Sequence, residues 1–216
     1  MIQTLIRWQG LLQQACRRRI IPTQAIAERL PRSGSVLEIG CGDGLILRLL
    51  GPNVGPVVGI DFDERKLAIA ASNLKGKGVT LLACDAFDYL KRQPDGSWES
   101  VLLVDTLSSF PVAEQYLLLG EILRTLRPSG MLFLKVIDGG AGWKTLFSRG
   151  LSLLIYKGLR LSKSHAQSFH YLRSQELVSH FQRIGVPCEL VALHRNVFHP
   201  VPHTLFLVRK QDSSIR

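Results

Sequence analysis

Five short apolar runs constrain this chain more than any other feature: "SVLEI" (35–39), "PVVGI" (56–60), "VTLLA" (79–83), "SVLLV" (100–104) and "MLFLKVI" (131–137). Most of them do not alternate apolar with polar residues, which is the signature of strands covered on both faces by helices. Helical patterns lie between them, "ERKLAIAASNL" (64–74) and "VAEQYLLLGEILRTL" (112–126), the second opened by Pro111 and closed by "RPSG". Strand and helix in alternation predict an α/β fold on a doubly wound, mainly parallel sheet. Two later runs, "CELVAL" (188–193) and "TLFLV" (204–208), supply further strands.

No linker-like stretch divides the 216 residues, so one domain is expected over 1–216. Two pieces fall outside the minimal alternation. Residues 1–32 read as a helical extension, and 138–170 as a helical insertion at the carboxyl edge of the sheet, where ligands bind in such folds. The apolar stretches are too short and interrupted to cross a bilayer as a helix. Cys16, Cys41, Cys84 and Cys188 have no paired spacing, which argues against a zinc site or a disulfide framework and for a reducing cytoplasm. The opening residues lack the clean apolar block of an export signal, because Arg7 and four glutamines interrupt them. The net charge of +10 raises the question of an anionic partner without defining a site for one.

The segment "SVLEIGCGDGLILRLL" (35–50) places Gly40, Gly42 and Gly44 between the first strand and a sequence that reads as a helix start. Such a turn is expected to offer backbone amides to an anionic group. A dinucleotide-binding turn requires G-x-G-x-x-G, whereas here Leu45 stands at the third glycine position and Asp43 would meet a pyrophosphate with like charge. S-adenosylmethionine (SAM) fits better, since its ammonium and sulfonium cations favour neighbouring carboxylates such as Glu38 and Asp43. Asp61 ends the second strand, about twenty residues beyond the first glycine, where a carboxylate can accept ribose hydroxyls. Phe62 follows with a ring for the adenine face, and Asp85 stands after the third strand within reach of the adenine amino group.

The stretches "VLEIGCGDG", "GIDFDERKLAIA", "CDA", "VLLVDTLSSF" and "LRTLRPSGMLFLKV", spanning about residues 33 to 137, resemble in order the motifs of the class I, Rossmann-like SAM-dependent methyltransferases. The tail "FHYLRSQELVSHFQRIG" followed by two strands is similar to the end of that fold. The resemblance implies a seven-stranded sheet with an antiparallel last strand, SAM as cofactor, and methyl transfer as the activity. It implies that Glu38, Gly40, Cys41, Gly42 and Gly44 flank the methionine moiety, Asp61 and Phe62 the ribose and adenine, and Asp85 with Ala86 the adenine. Asp105, at the end of the fourth strand, would face the reacting methyl.

Methyl transfer from a sulfonium depends mainly on alignment, and a base is needed only for acceptors such as alcohols, phenols or protonated amines. Many relatives carry histidine where this chain has Ser108, so Ser108 marks the acceptor side without supplying a base. His170, closing the insertion beside Tyr171, is the first candidate base, and His199 the second; His165 and His203 are further candidates. No acid-plus-amide pair accompanies Asp105 to hold a magnesium ion, and no metal is expected. "DTLS" lacks the proline pair and aromatic of DNA amino-methylation, and the "VPC" at 186–188 lies too late in the chain to be a cytosine-attacking thiol.

The segment 144–163, "KTLFSRGLSLLIYKGLRLSK", sets Phe147, Leu151, Leu154, Ile155, Leu159 and Leu161 on one helical arc and Arg149, Lys157, Arg160 and Lys163 roughly opposite. That pattern fits a cover over an apolar substrate cleft, and also peripheral contact with an anionic membrane surface. The expected reading is a cytoplasmic SAM-dependent methyltransferase for a small acceptor of hydrophobic or lipid-like character. An RNA methyltransferase and a non-catalytic SAM-binding module are the alternatives; oligomeric state is not legible.

Overall fold

The computed structural model describes residues 23–138, 170–192 and 203–211. Along the described chain the elements run α1 (Thr23–Ala27), β1 (Gly34–Ile39), β2 (Val54–Asp61), α2 (Glu64–Asn73), β3 (Val79–Ala83), α3 (Ala86–Lys91), β4 (Trp98–Val104), α4 (Val112–Thr125), β5 (Leu126–Ile137), α5 (Ser174–Arg183), β6 (Cys188–Ala192) and β7 (His203–Arg209). The seven strands form one sheet in the order β3-β2-β1-β4-β5-β7-β6. Every pair is parallel except those of β7, which runs antiparallel to both β5 and β6. The expected sheet with its antiparallel last strand is therefore present.

The missing alternation in the sequence has a direct explanation in the two apolar layers. Neighbouring residues on one strand point to opposite faces and both are buried: Leu37 belongs to the apolar layer that includes Leu118, Ile122 and Phe181, while Val36 belongs to the layer that includes Leu67, Ala70 and Phe133. The same division separates Val101 and Leu103 from Leu102, and Leu132 and Leu134 from Phe133. Helices α4 and α5 cover the first face; α1 and α2 cover the second, where Ile26 and Leu30 bring the described end of the 1–32 extension into the core. Edge strand β3 is more open, with Leu82 exposed.

Sequence and structure differ at three points. The helix expected after the glycine turn is only a 3₁₀ turn, Leu47–Leu49, because Gly51 and Pro52 follow at once and Leu50 is already extended. The "RPSG" stretch, expected as a turn, is built into β5, with Leu126 paired to Trp98 and Ser129 taking a left-handed φ of 61°. His203, one of the candidate bases, is the buried first residue of β7, opposite Ile137. Residues 144–163, His165 and His199 lie outside the described residues. Among the described residues no helix is long and apolar enough to cross a membrane.

Strand order reverses between β1 and β4, which are neighbours although β2 and β3 separate them in sequence. A crevice opens at the carboxyl ends of strands at such a switch point. The glycine turn, Asp61 and Asp105 all follow those ends.

Candidate cofactor and acceptor site

The glycine turn is bound tightly to the end of β2. Gly40 and Cys41 donate their amides to the Ile60 carbonyl (2.8 and 2.9 Å), Gly42 donates to Oδ2 of Asp61 (2.9 Å), and Gly44 donates to the Cys41 carbonyl (2.9 Å). Gly40, Gly42 and Gly44 have φ of 72°, 55° and 75°, the left-handed region that side chains disfavour. At Gly40 a Cβ would also collide with Thr106, and at Gly44 with Leu74. The expectation that these amides stand ready for an anion is thus corrected: four of them are engaged within the protein. What the turn presents instead is a set of carboxylates.

Asp61 is the centre of that set. Its Oδ2 takes the Gly42 amide and its Oδ1 the Asp63 amide, each at 2.9 Å, and the residue is 6% exposed. A carboxylate has about four lone-pair positions, so two directions remain for ribose hydroxyls. Glu38 lies buried in β1 between Gly59 and Leu102, and Asp43 occupies the turn, its carbonyl fixed by Asn73 at 2.8 Å. Burial pushes the Cys41 thiol up, with Glu38, Asp61 and Asp43 adding to the effect. Cys41 is therefore a packing residue beside the site and not a nucleophile. A cradle of this sign suits a sulfonium and an ammonium and rejects a pyrophosphate, so the residues present fit SAM.

The adenine side follows from β2 and β3. Phe62, directly after Asp61, is 46% exposed. Asp85 is the N-cap of α3: its Oδ1 accepts the amides of Phe87 (2.8 Å) and Asp88 (3.2 Å). Ala86 is the buried first residue of that helix. The sequence reading of Asp85 as a ligand contact did not include this capping role.

Beyond β4 the chain turns sharply. Asp105 has φ 57° and its amide donates to the Lys135 carbonyl (3.0 Å). Thr106, the residue against Gly40, leads into a 3₁₀ turn, Leu107–Ser109. The Ser108 carbonyl accepts the His170 amide at 2.9 Å, and the buried Gln115 carboxamide donates to the carbonyls of both His170 and Phe110 at 2.8 Å. Asp105, Ser108, Lys135, His170 and Tyr171, with Leu107 and Val136, line one pocket. The structure thus brings Ser108 and His170 together. His203 is not among the pocket's lining residues, and neither is Cys188, which begins β6.

Two residues at this pocket escaped the sequence reading. Lys135 is wholly buried in β5, and its Nζ contacts both oxygens of Asp105 at 2.5 Å. Its signal was a lysine inside the apolar run "MLFLKVI". Gln115 shares the buried face of α4 with Leu118, Leu119 and Ile122; a polar residue at i, i+3, i+4, i+7 spacing on a core face marks such a clamp. Among the described residues, no group of three or more His, Cys, Asp or Glu side chains could hold a metal ion.

Comparison with known proteins agrees with this geometry. Residues 36–130 match the family described as "Methyltransferase domain". A ubiquinone biosynthesis O-methyltransferase from Thiobacillus denitrificans is 28% identical over 116 residues, covering 52% of this chain and 49% of that protein. The chain thus spans about half the length of the curated relatives it matches. Among solved structures, the YcgJ protein of Bacillus subtilis superposes with a TM-score of 0.65 at 14% identity, covering 88% of this chain and 98% of that one. A SAM-dependent methyltransferase from Archaeoglobus fulgidus superposes with a TM-score of 0.62 at 15% identity, covering 94% of each. At these identities the likeness of structures establishes the fold. Residues 36–130 thus resemble a methyltransferase domain, and the chain carries the Rossmann-like fold that class I SAM-dependent methyltransferases share.

Proposed function

We propose that this protein transfers a methyl group from SAM to an oxygen of a small, largely apolar acceptor. The observation that carries the reading is the contact of Thr106 with Gly40. It joins the carboxylate-lined turn, which suits the donor, to the cluster of Asp105, Ser108 and His170 along one seam at the switch point. SAM supplies a methyl group on an electrophilic sulfonium. Glu38, Asp43 and Asp61 would hold its cationic and ribose parts, Phe62 and Asp85 with Ala86 its adenine, and Asp105 the reacting end.

The chain's contribution is then mainly orientation, and juxtaposition of two reactants can lower a barrier by about 7–11 kcal/mol. Leu107 and Val136 exclude water from the acceptor side, while the Ser108 hydroxyl and the His170 imidazole orient a hydroxyl group. The His170 ring takes its proton, and the main chain of His170, held by Ser108 and Gln115, fixes where that ring hangs. Oxygen as the accepting atom is supported by the Ser108 hydroxyl and the His170 imidazole lining one pocket, and by the curated relatives named O-methyltransferases. The apolar arc read from the sequence over 144–163 supports a hydrophobic acceptor.

Incubation with SAM carrying a labelled methyl group and a panel of small phenols and alcohols tests the proposal. Label in an organic-extractable ether is the expected product. SAM binding without transfer to any hydroxyl compound would refute the acceptor assignment, and label in RNA alone would replace it.

A further inference from the structure

Lysine is almost never wholly buried without a functional or structural partner, and here it sits near the carboxyl end of an interior strand of the sheet. Lys135 has no exposed side-chain surface, whereas Asp105, which it contacts through both carboxylate oxygens, is 23% exposed and lines the pocket. The backbone doubles the connection, since the Asp105 amide donates to the Lys135 carbonyl. Asp105 is one of only two non-glycine residues with positive φ among those described, a conformation that aspartate tolerates at a cost the surroundings must offset. The next residue, Thr106, is the one that meets Gly40. Lys135 therefore fixes the carboxylate that stands where the donor turn and the acceptor pocket join.

We infer that Lys135 is a positioning residue for methyl transfer: it holds Asp105 as an oriented carboxylate at the seam, facing the cationic end of the donor. The inference rests on the functional reading above. Its physical content is a charge argument. A buried pair is worth little relative to an apolar pair of the same shape, but removing one partner leaves a carboxylate without its counter-ion. In Lys135→Met, Asp105 keeps its main-chain bond to the strand but its carboxylate loses the side chain that orients it. Adding Asp105→Asn removes the stranded charge, so it restores stability without restoring the carboxylate that faces the donor.

The experiment measures SAM affinity by calorimetry and thermal stability for the wild type, Lys135→Met, and Lys135→Met with Asp105→Asn. Lys135→Met should bind SAM about tenfold more weakly than the wild type and melt at a lower temperature. The double variant, which carries neither charge, should fold even where the single variant does not, and should recover stability while still binding about tenfold more weakly than the wild type. If Lys135→Met binds like the wild type, or if the double variant binds like the wild type, Lys135 only packs the core and the inference is overturned. If the wild type itself does not bind SAM, it is the functional reading that fails.

Discussion

Replacing Asp61 with asparagine perturbs the residue on which both the local fold and the proposed cofactor site converge. Each carboxylate oxygen accepts one buried amide, from Gly42 and from Asp63. A carboxamide keeps one acceptor and turns an NH2 group towards the other amide, leaving one buried donor unmatched at about 1–3 kcal/mol. For a chain of this size a loss of about 2 kcal/mol lowers the melting temperature by roughly 4–8 °C. Hydrogen bonds from ribose hydroxyls to a charged carboxylate contribute about 1.5–3 kcal/mol, so SAM affinity should fall roughly tenfold to a hundredfold in the folded variant. Differential scanning calorimetry gives the first number and titration calorimetry below the transition gives the second. Asp61→Ala, which removes both acceptors, should lose about 2–6 kcal/mol and melt lower still. Wild-type melting of Asp61→Asn would refute the stapling role, and wild-type affinity would refute the placement of the ribose.

Gly40→Val should lose both stability and SAM binding, because the left-handed φ and the contact with Thr106 leave no room for a side chain; a soluble, SAM-binding variant on gel filtration and calorimetry would contradict this. His170→Ala should leave SAM affinity intact, since the bonds that fix His170 are to its main chain, yet slow transfer to a hydroxyl acceptor by about 10²–10⁴-fold in a labelled-methyl assay; an unchanged rate would remove it as the base. Cys41 should resist a thiol reagent at pH 8 in the native protein while the half-buried Cys84 and Cys188 react, as mass spectrometry of digested peptides would show; early labelling of Cys41 would mean the glycine turn opens. Glu99 is held below the usual carboxylate range by the Ser35 amide, which outweighs the opposing effect of burial, with Arg127 adding to the lowering. A depressed carboxylate stabilises the fold above its unfolded value and loses that contribution as pH falls, so Glu99→Gln should flatten the acid limb of the stability profile; an identical acid limb would contradict the sign.

Much of the fold could be read from the chain because a doubly covered parallel sheet writes itself into sequence as unbroken apolar runs. Val36 and Leu37, or Phe133 and Leu134, are buried on opposite faces, so neither face leaves a polar alternation. The stop of the segment after Gly44 was less legible: "LILRLL" has helical spacing, but Gly51 and Pro52 cut it to a 3₁₀ turn whose apolar residues serve to cover β1 and β2. The positions of Asp61 and Asp105 at strand ends were legible for the same topological reason, since both close runs that the sheet aligns. The uses made of them were not. Periodicity cannot reveal that the Gly42 amide turns inward onto Asp61, or that Asp85 caps a helix through one oxygen. Lys135 was hidden because the pairing that makes a buried ammonium tolerable lies thirty residues away in sequence.

Titration calorimetry of the wild-type protein with SAM, and in parallel with NADH, tests the central claim most directly. Micromolar binding of SAM with no binding of the dinucleotide is the predicted result, because the carboxylates at Glu38, Asp43 and Asp61 favour a cation and oppose a pyrophosphate. Binding of NADH, or no heat with SAM at any accessible concentration, would contradict the account.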